Sequence, residues 1–325
     1  MIEKLKYIAF VSVMLIISGL SYAFDDTKAG KDKCFLWEVR SKTATVYLTG
    51  SFHMFKKEMY PLDDCINNAF EKADTLVVEV NMNAVNQDEI TELFKERGIY
   101  RENVTIEQRL TGETLKKLNE YLGQVGIDIS QVNKMRPWFL GMTIAVQEMI
   151  GLGYDPDLGM DLYFLANAAG KNIVELETIG EQIEVLAGDP DDVQDLALRM
   201  ALDDIPNLEP LMNSMVDAWS RGDAEALDEI MREPSDRYPL LEQQFKRTID
   251  DRNLDMARKI ANFLKTDKTY FVVIGGGHIG GEKGLLSLIK GMGYTAQQLQ
   301  KAAVSMKDPR NVTGSKAVEV IALSR

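Results

Sequence analysis

The sequence predicts an α/β fold with a central, mostly parallel sheet flanked by helices and a large helical insertion that forms a cap. Three observations support this prediction. An apolar run, an amphipathic helical segment and a second apolar run follow one another between residues 45 and 80, which is typical of a βαβ unit. Another apolar run at 269–274 precedes a glycine-rich turn and a helix. Between these parts, residues 82–265 show a largely helical pattern.

The first 23 residues are typical of a secretory signal peptide. A short basic start is followed by the apolar stretch 7–18 and by the small-X-small site Ser21-Tyr22-Ala23. We therefore expect cleavage after Ala23, a periplasmic or secreted protein, and a single mature domain over residues 24–325. The apolar stretch is too short to be a typical membrane span, so no stable membrane anchor is expected after cleavage.

The amino-terminal part of the mature chain predicts two strands, a helix and a third strand. The apolar runs 35–39 and 45–48 are separated by four polar residues and predict a hairpin. Apolar residues at helical spacing predict a helix over about 61–73. The run 75–80 predicts a strand that completes the βαβ unit.

The rest of the chain is predicted to be mainly helical. The predicted helices are 88–97, 113–123, 138–150, 161–169, an almost continuous stretch over 179–264, and 282–289. Breaks in the long stretch are predicted at Pro190, Pro206, Pro234 and Pro239. The predicted strands are a short one at 171–177, the run 269–274, and a final one at 317–322.

Charge and cysteine content exclude some classes of function. The formal net charge of −13 has the wrong sign for a nucleic-acid-binding protein, so no nucleic-acid partner is expected. The two cysteines, Cys34 and Cys65, most simply form a disulfide in an oxidising compartment. The alternative, a zinc site built on them, would need further ligands nearby.

The two histidines of the chain, His53 and His278, both close the tetrapeptide Gly-X-X-His directly after a predicted strand. Glycine permits a sharp turn there, and ligands of α/β sheets bind at the edge formed by the carboxyl ends of the strands. Imidazole is the commonest metal ligand and also a proton acceptor near neutral pH. The alternative is two unrelated turn histidines that bind backbone groups.

Glu79 is the third candidate, because it interrupts the apolar run 75–80. A carboxylate in a strand buried on both faces is costly unless it is paired or binds a metal. The alternative is an exposed face of the strand. Glu175 and Glu177 also interrupt an apolar run, 173–177, but less clearly, because that run is short. The glycines that follow residue 274 formally match a dinucleotide-binding fingerprint, but too little chain follows for a nucleotide fold.

Several short motifs occur in a characteristic order. They are Leu36-Trp37-Glu38-Val39, Leu48-Thr49-Gly50-Ser51-Phe52-His53, Pro61-Leu62, Val77-Val78-Glu79-Val80, Pro137-Trp138, Gly159-Met160-Asp161, Leu176-Glu177-Thr178 with Gln182, Arg252-Asn253, Val273-Ile274-Gly275-Gly276-Gly277-His278 with Gly280, Gly284-Leu285-Leu286 and Gly293-Tyr294. In these features the chain resembles bacterial members of the TraB/PrgY/GumN family, which is related to the Tiki metalloproteases. The resemblance covers nearly all of the mature chain.

The resemblance implies an α/β fold like that of erythromycin esterase and the ChaN haem-binding lipoproteins. In the Tiki branch, the two Gly-X-X-His motifs and an acidic residue form a Mn²⁺- or Co²⁺-dependent peptidase site, which points here to His53, His278 and Glu79. The chain departs from the family at Gly276 and Ile279, where alanine and leucine are frequent. Both changes are conservative for the turn.

We therefore expect a secreted or periplasmic, metal-dependent hydrolase that acts on peptide bonds, with a peptide or a small molecule as its substrate. His53, His278 and Glu79 would hold one divalent ion, Mn, Co or Zn. Glu177 would orient a ligand or act as a base, and Arg252 would stabilise a developing oxyanion. If the two imidazoles and Glu79 lay more than about 8 Å apart, one ion could not join them, since metal–ligand bonds are roughly 2 Å long.

Two alternatives keep these residues but change their use. A metal-independent, esterase-like hydrolase would activate one histidine through a carboxylate and the other histidine. A binding protein would use the histidines to hold a peptide or haem without turnover. The sequence predicts neither the oligomeric state nor whether the helical insertion is a lid or a dimer surface.

Overall fold

The computed structural model describes residues 32–301, so the predicted signal peptide and the strand predicted at 317–322 lie outside the described part of the chain. Within it, one sheet contains six strands. They are β1 (Lys33–Arg40), β2 (Thr45–Ser51), β3 (Thr75–Val78), β4 (Asn172–Glu175), β5 (Thr269–Gly275) and β6 (Ala296–Gln300).

The sheet confirms the predicted α/β class. Its strand order is β4-β3-β5-β2-β1-β6, and β4, β3, β5 and β2 run parallel to one another. The predicted hairpin of β1 and β2 is present, and β1 also pairs antiparallel with β6. Strand β5 lies inside the parallel part and is almost entirely apolar and buried, as expected for a strand covered on both faces.

Helices cover the sheet and, apart from β4, form most of the chain between β3 and β5. The α-helices are α1 (Asp64–Lys72), α2 (Gln87–Gly98), α3 (Gly112–Gln124), α4 (Pro137–Gly151), α5 (Met160–Ala166), α6 (Ile179–Ala187), α7 (Asp191–Asp204), α8 (Leu208–Ser220), α9 (Ala224–Arg237), α10 (Glu242–Phe245), α11 (Asp251–Phe263) and α12 (Leu285–Gly291). A π-helical turn, Lys246–Asp250, joins α10 to α11. The helices predicted from periodicity are therefore present, with shifted ends. The break predicted at Pro234 is wrong, since α9 continues through this proline, which removes one N–H donor without ending the helix.

The described residues form a large hydrophobic core on the sheet and a second one among the helices. The second core joins α2, α3, α4 and α7 through apolar side chains such as Ile90, Phe94, Leu118, Phe139 and Leu198. Strand β4 lies within the predicted insertion and pairs with β3. The division into a sheet domain and a cap over 82–265 stays a prediction.

The disulfide expected from the sequence is present between Cys34 in β1 and Cys65 in α1. Their Cα atoms are 6.8 Å apart, and the bridge connects the start of β1 to the start of α1. No helix in residues 32–301 combines the length and the apolar character needed to cross a bilayer.

The parallel strands place their carboxyl ends at one edge of the sheet. In the pairing register, Ser51 at the end of β2 lies opposite Gly275 at the end of β5. Val78 at the end of β3 lies opposite Val273 and Glu175 on its two neighbours. The residues that follow these ends are therefore neighbours in space, although they are far apart in the sequence.

Candidate functional site

The two Gly-X-X-His turns contact each other through their glycines. A Cβ atom added to Gly50 would lie only 2.7 Å from the Cα atom of Gly276 and would also clash with the ring of Phe35. Glycine at position 50 is therefore required by the close approach of the two backbones. The repeated motif of the sequence corresponds to one shared turn region at the sheet edge.

The three residues predicted to bind a metal converge around Gly275. A Cβ atom added there would lie 3.2 Å from Glu79 Oε1, 3.5 Å from His278 Cδ2 and 3.6 Å from His53 Nε2. The three groups thus lie within 3.6 Å of one point, so they are not as far apart as the roughly 8 Å that would exclude a shared ion. All three are buried, with exposed fractions of 6% for His53 and Glu79 and 0% for His278.

His53 is oriented by a buried carboxylate. Its Nδ1 atom lies 2.7 Å from Asp161 Oδ2, and the Ser51 hydroxyl donates to Asp161 Oδ1 over 2.5 Å. Because an ionised carboxylate only accepts, Nδ1 carries the proton and Nε2 of the neutral ring keeps its lone pair. Burial alone would lower the pKa of His53, but Asp161, helped by Glu79, raises it above the ordinary value.

His278 is oriented by an amide instead. Its Nδ1 atom lies 2.6 Å from Asn253 Oδ1, and its Nε2 atom is buried without a hydrogen-bond partner. Burial, together with the positive charge of Arg252, lowers the pKa of His278 to about 3. His278 is therefore a neutral ring at physiological pH.

Glu79 accepts hydrogen bonds on both oxygens. The backbone N–H of Gly275 donates to Oε1 over 2.5 Å, while Gln182 Nε2 and Arg252 Nη2 donate to Oε2 over 2.9 and 2.6 Å. Burial would raise the pKa of Glu79, but the charge of Arg252, the two imidazoles and the Gly275 hydrogen bond together outweigh burial and lower the pKa to about 2. Glu79 is therefore ionised.

Arg252 joins Glu79 to Glu177. Its Nε and Nη2 atoms donate to the two oxygens of Glu177 over 2.8 and 2.6 Å, and Nη1 donates to the Thr248 carbonyl over 2.9 Å. Arg252 directly follows the π-helical turn 246–250, a distortion that is frequent at functional sites. Its contacts make it the counter-charge of two carboxylates, and its role as an oxyanion donor stays a prediction.

The structure thus brings all five predicted site residues together, in two linked groups. His53, His278 and Glu79 surround Gly275, and Arg252 and Glu177 lie behind Glu79. The catalytic and metal-binding roles assigned to them from the sequence stay predictions.

Three further polar residues of the site received no role from the sequence. They are Asp161, Gln182 and Asn253, which contact His53, Glu79 and His278. Each belongs to one of the short motifs that carry the family resemblance, and this is the sequence feature that could have identified them as site residues. Periodicity could not reveal them, since each lies in or beside a helix far along the chain from the residue it contacts.

The chemistry of the donor set fits a divalent cation, but the ligand atoms are not drawn together around one. No group of three or more His, Cys, Asp or Glu side chains in the described range 32–301 is arranged to hold a metal ion. The site nevertheless offers two imidazoles and a carboxylate, a donor set that suits several divalent metals. The buried, unpartnered Nε2 atom of His278 is the donor that such an ion would satisfy.

Comparison with known proteins assigns the family. A sequence model of the TraB/PrgY/gumN family matches residues 35–298, which include both Gly-X-X-His turns. The chain belongs to the TraB/PrgY/gumN family. No solved structure matches the chain.

Relatives of this TraB/PrgY/gumN protein include the "Uncharacterized protein YbaP" of Escherichia coli, 26% identical over 147 residues, or 45% of this chain and 53% of YbaP. An uncharacterized protein of Treponema pallidum is 21% identical over 241 residues, or 70% of this chain and 71% of the relative. The "Metalloprotease TIKI homolog" of Amphimedon queenslandica is 21% identical over 346 aligned positions. The alignment covers 90% of this chain and 66% of the relative. The chain thus spans about half the length of YbaP.

Proposed function

We propose that this TraB/PrgY/gumN protein is a secreted or periplasmic, metal-dependent hydrolase that acts on peptide bonds. The observation that carries the proposal is the convergence of His53 Nε2, His278 and Glu79 Oε1 within 3.6 Å of one point at the carboxyl edge of the sheet. The name of the Amphimedon queenslandica relative supports the same reaction class.

The donors proposed for the ion are the Nε2 atoms of the two histidines and the Glu79 carboxylate. A bound divalent ion would polarise the scissile carbonyl and lower the pKa of a water molecule to near 7. The charge balance supports a cation here. Three carboxylates (the buried Glu79 and Asp161 and the partly buried Glu177) face the guanidinium of Arg252, and even a protonated His53, whose pKa is raised, would leave one negative charge unbalanced.

The protein's own groups prepare the site. Asp161 holds the His53 proton at Nδ1, which leaves Nε2 directed toward Gly275. Arg252 keeps Glu79 ionised, so that this carboxylate can bind a cation. Glu177 accepts from Arg252 with both oxygens, so its proposed role is to orient the guanidinium that binds Glu79.

Metal analysis and a peptide screen test this proposal. Protein purified without chelator should contain about one divalent ion per chain, and hydrolysis of a peptide library should stop on chelation and return with Mn²⁺. The variants His53→Ala, His278→Ala and Glu79→Gln should lose the ion and the activity. Glu120→Gln, the same change at an exposed glutamate of α3, should keep both. Wild-type protein without an ion, whose peptide hydrolysis is insensitive to chelator, would overturn the proposal.

One observation favours a second function, a metal-independent esterase-like hydrolase. The His53–Asp161 contact of 2.7 Å is the arrangement that orients a histidine as a general base, and the raised pKa of His53 suits proton transfer near neutral pH. Hydrolysis of ester substrates in the presence of chelator, lost in His53→Ala, would favour this function. Complete loss of ester hydrolysis on chelation would exclude it.

A further inference from the structure

Asn253 is a polar residue beside the second Gly-X-X-His turn, and it is almost completely buried. It lies in α11 next to Arg252, has an exposed fraction of 1%, and contacts His278, whose exposed fraction is 0%. Its Oδ1 atom lies 2.6 Å from His278 Nδ1, and its Nδ2 atom donates to the Lys283 carbonyl over 3.0 Å. A buried amide with both ends engaged is a fixed element of the site.

The Lys283 carbonyl decides which way the Asn253 amide faces. A carbonyl oxygen can only accept, so the amide nitrogen must point to Lys283 and the amide oxygen must point to His278. If the amide were reversed, two oxygen acceptors would face each other without a proton between them. The orientation of the Asn253 amide therefore follows from its hydrogen-bond partners, without the need to distinguish the amide oxygen from the amide nitrogen by shape.

The fixed amide in turn decides the tautomer of His278. Oδ1 can only accept, so the ring nitrogen that faces it must carry the proton. In a neutral ring the other nitrogen, Nε2, then has no proton and presents a lone pair. This is the atom that is buried without a partner, and the ring carbon bonded to it, Cδ2, lies 3.5 Å from the point where the site groups meet.

We propose that Asn253 is the positioning residue of His278. It holds the ring as the Nδ1–H tautomer, so that the unprotonated Nε2 is directed into the site. The inference rests on the proposed function, because it names the residue that prepares one of the metal ligands. A histidine ligand whose outer hydrogen bond is removed typically binds its metal 10- to 100-fold more weakly.

The histidine content of the chain makes the tautomer directly measurable. His53 and His278 are the two histidines of the sequence, so the NMR spectrum of metal-free protein with ¹⁵N-labelled histidine contains two ring systems. The variant His53→Gln identifies the resonances of His278 by leaving them alone in the spectrum. Wild-type His278 should show a protonated, pyrrole-type Nδ1 and an unprotonated, pyridine-type Nε2. A protonated Nε2 in neutral His278 would overturn the proposal.

Two substitutions and a control extend the test. Asn253→Leu removes the acceptor and should shift His278 toward the Nε2–H tautomer and weaken Mn²⁺ binding about 10- to 100-fold. Asn253→Asp keeps an oxygen next to Nδ1 and should retain the Nδ1–H tautomer, while the loss of the hydrogen bond to the Lys283 carbonyl should lower its stability. Asn262→Leu, the same change at an exposed asparagine of the same helix, should alter neither the tautomer nor Mn²⁺ binding.

The outcomes separate this inference from the proposed function. A folded Asn253→Leu variant with the wild-type tautomer and the wild-type Mn²⁺ affinity would overturn the role of Asn253. If Asn253→Leu does not fold, the tautomers of the wild-type protein and of Asn253→Asp decide. Wild-type protein that binds no Mn²⁺ would overturn the metal site, while the tautomer of His278 would still decide the role of Asn253.

Discussion

Replacement of Arg252 by methionine should destabilise the protein strongly, because it leaves the buried Glu79 and the partly buried Glu177 without their counter-charge. Arg252 lies 2.6 Å from Glu79 and 2.6 Å from Glu177, and its side chain is only 7% exposed. The pKa of Glu79 is lowered from 4.5 to about 2. A shift of that size corresponds to about 3 kcal/mol of stabilisation at neutral pH. Breaking a buried ion pair by removing one partner costs about 3–5 kcal/mol.

The expected result is therefore a loss of about 3–5 kcal/mol in the free energy of unfolding of Arg252→Met at pH 7, measured by urea denaturation. Arg258→Met on the same helix is the matched control, since Arg258 pairs with Asp255 at the surface. An exposed pair of this kind contributes about 0–1 kcal/mol. A loss in Arg252→Met no larger than in Arg258→Met would refute the assignment of Arg252 as the counter-charge of the site.

The pH dependence of the loss gives a second check. In the wild-type protein the pKa of Glu79 is depressed. The stabilisation that ionised Glu79 contributes is therefore complete above pH 4.5 and is lost as the pH falls toward about 2. In Arg252→Met, burial raises the pKa of Glu79, which can then take up a proton in mildly acidic solution. The difference in the free energy of unfolding between the two proteins should therefore shrink as the pH is lowered from 7 to 5. A difference that grows over this range would contradict the reasoning.

Three further predictions concern the site and the disulfide. Gly275→Ala places a methyl group within 3.6 Å of the converging site atoms, so it should abolish metal binding and activity at a cost in thermal stability of only about 1–3 kcal/mol. Asp161→Asn removes the charge that raises the pKa of His53, so the acidic limb of the pH–rate profile should move to lower pH. Replacing Cys34 and Cys65 by alanine should lower the free energy of unfolding in denaturant titrations by about 3–4 kcal/mol, since the bridge closes a separation of 31 residues.

The sequence predicts the centre of the sheet better than its edges. Strands β2 and β5 are apolar runs that end at glycine-containing turns, and both are where the pattern places them. Strand β6, Ala296–Gln300, was not predicted, because it contains three glutamines and pairs only at the edge of the sheet beside β1. Strand β3 ends at Val78, two residues earlier than predicted, so Glu79 follows the strand and turns into the site.

The site residues that the sequence predicts are those whose local context is unusual. Two histidines in the same turn motif, and a glutamate at the end of an apolar run, are visible without a structure. Asp161 is not visible in this way, since 108 residues separate it from His53 and its contact depends on how α5 packs against the turn. Likewise, Arg252 could be singled out by resemblance, but its pairing with two carboxylates depends on the π-helical turn before α11.

The two Gly-X-X-His motifs are alike in sequence but not equivalent in chemistry. Burial lowers the pKa of both imidazoles, so the difference between them must come from their partners. The carboxylates of Asp161 and Glu79 together more than compensate for burial at His53, whereas the neutral Asn253 leaves His278 to burial and the added effect of Arg252. One ring of the pair therefore gains a proton readily and the other does not. Because both partners come from helices outside the motifs, the same tetrapeptide can supply one histidine suited to proton transfer and one that stays neutral.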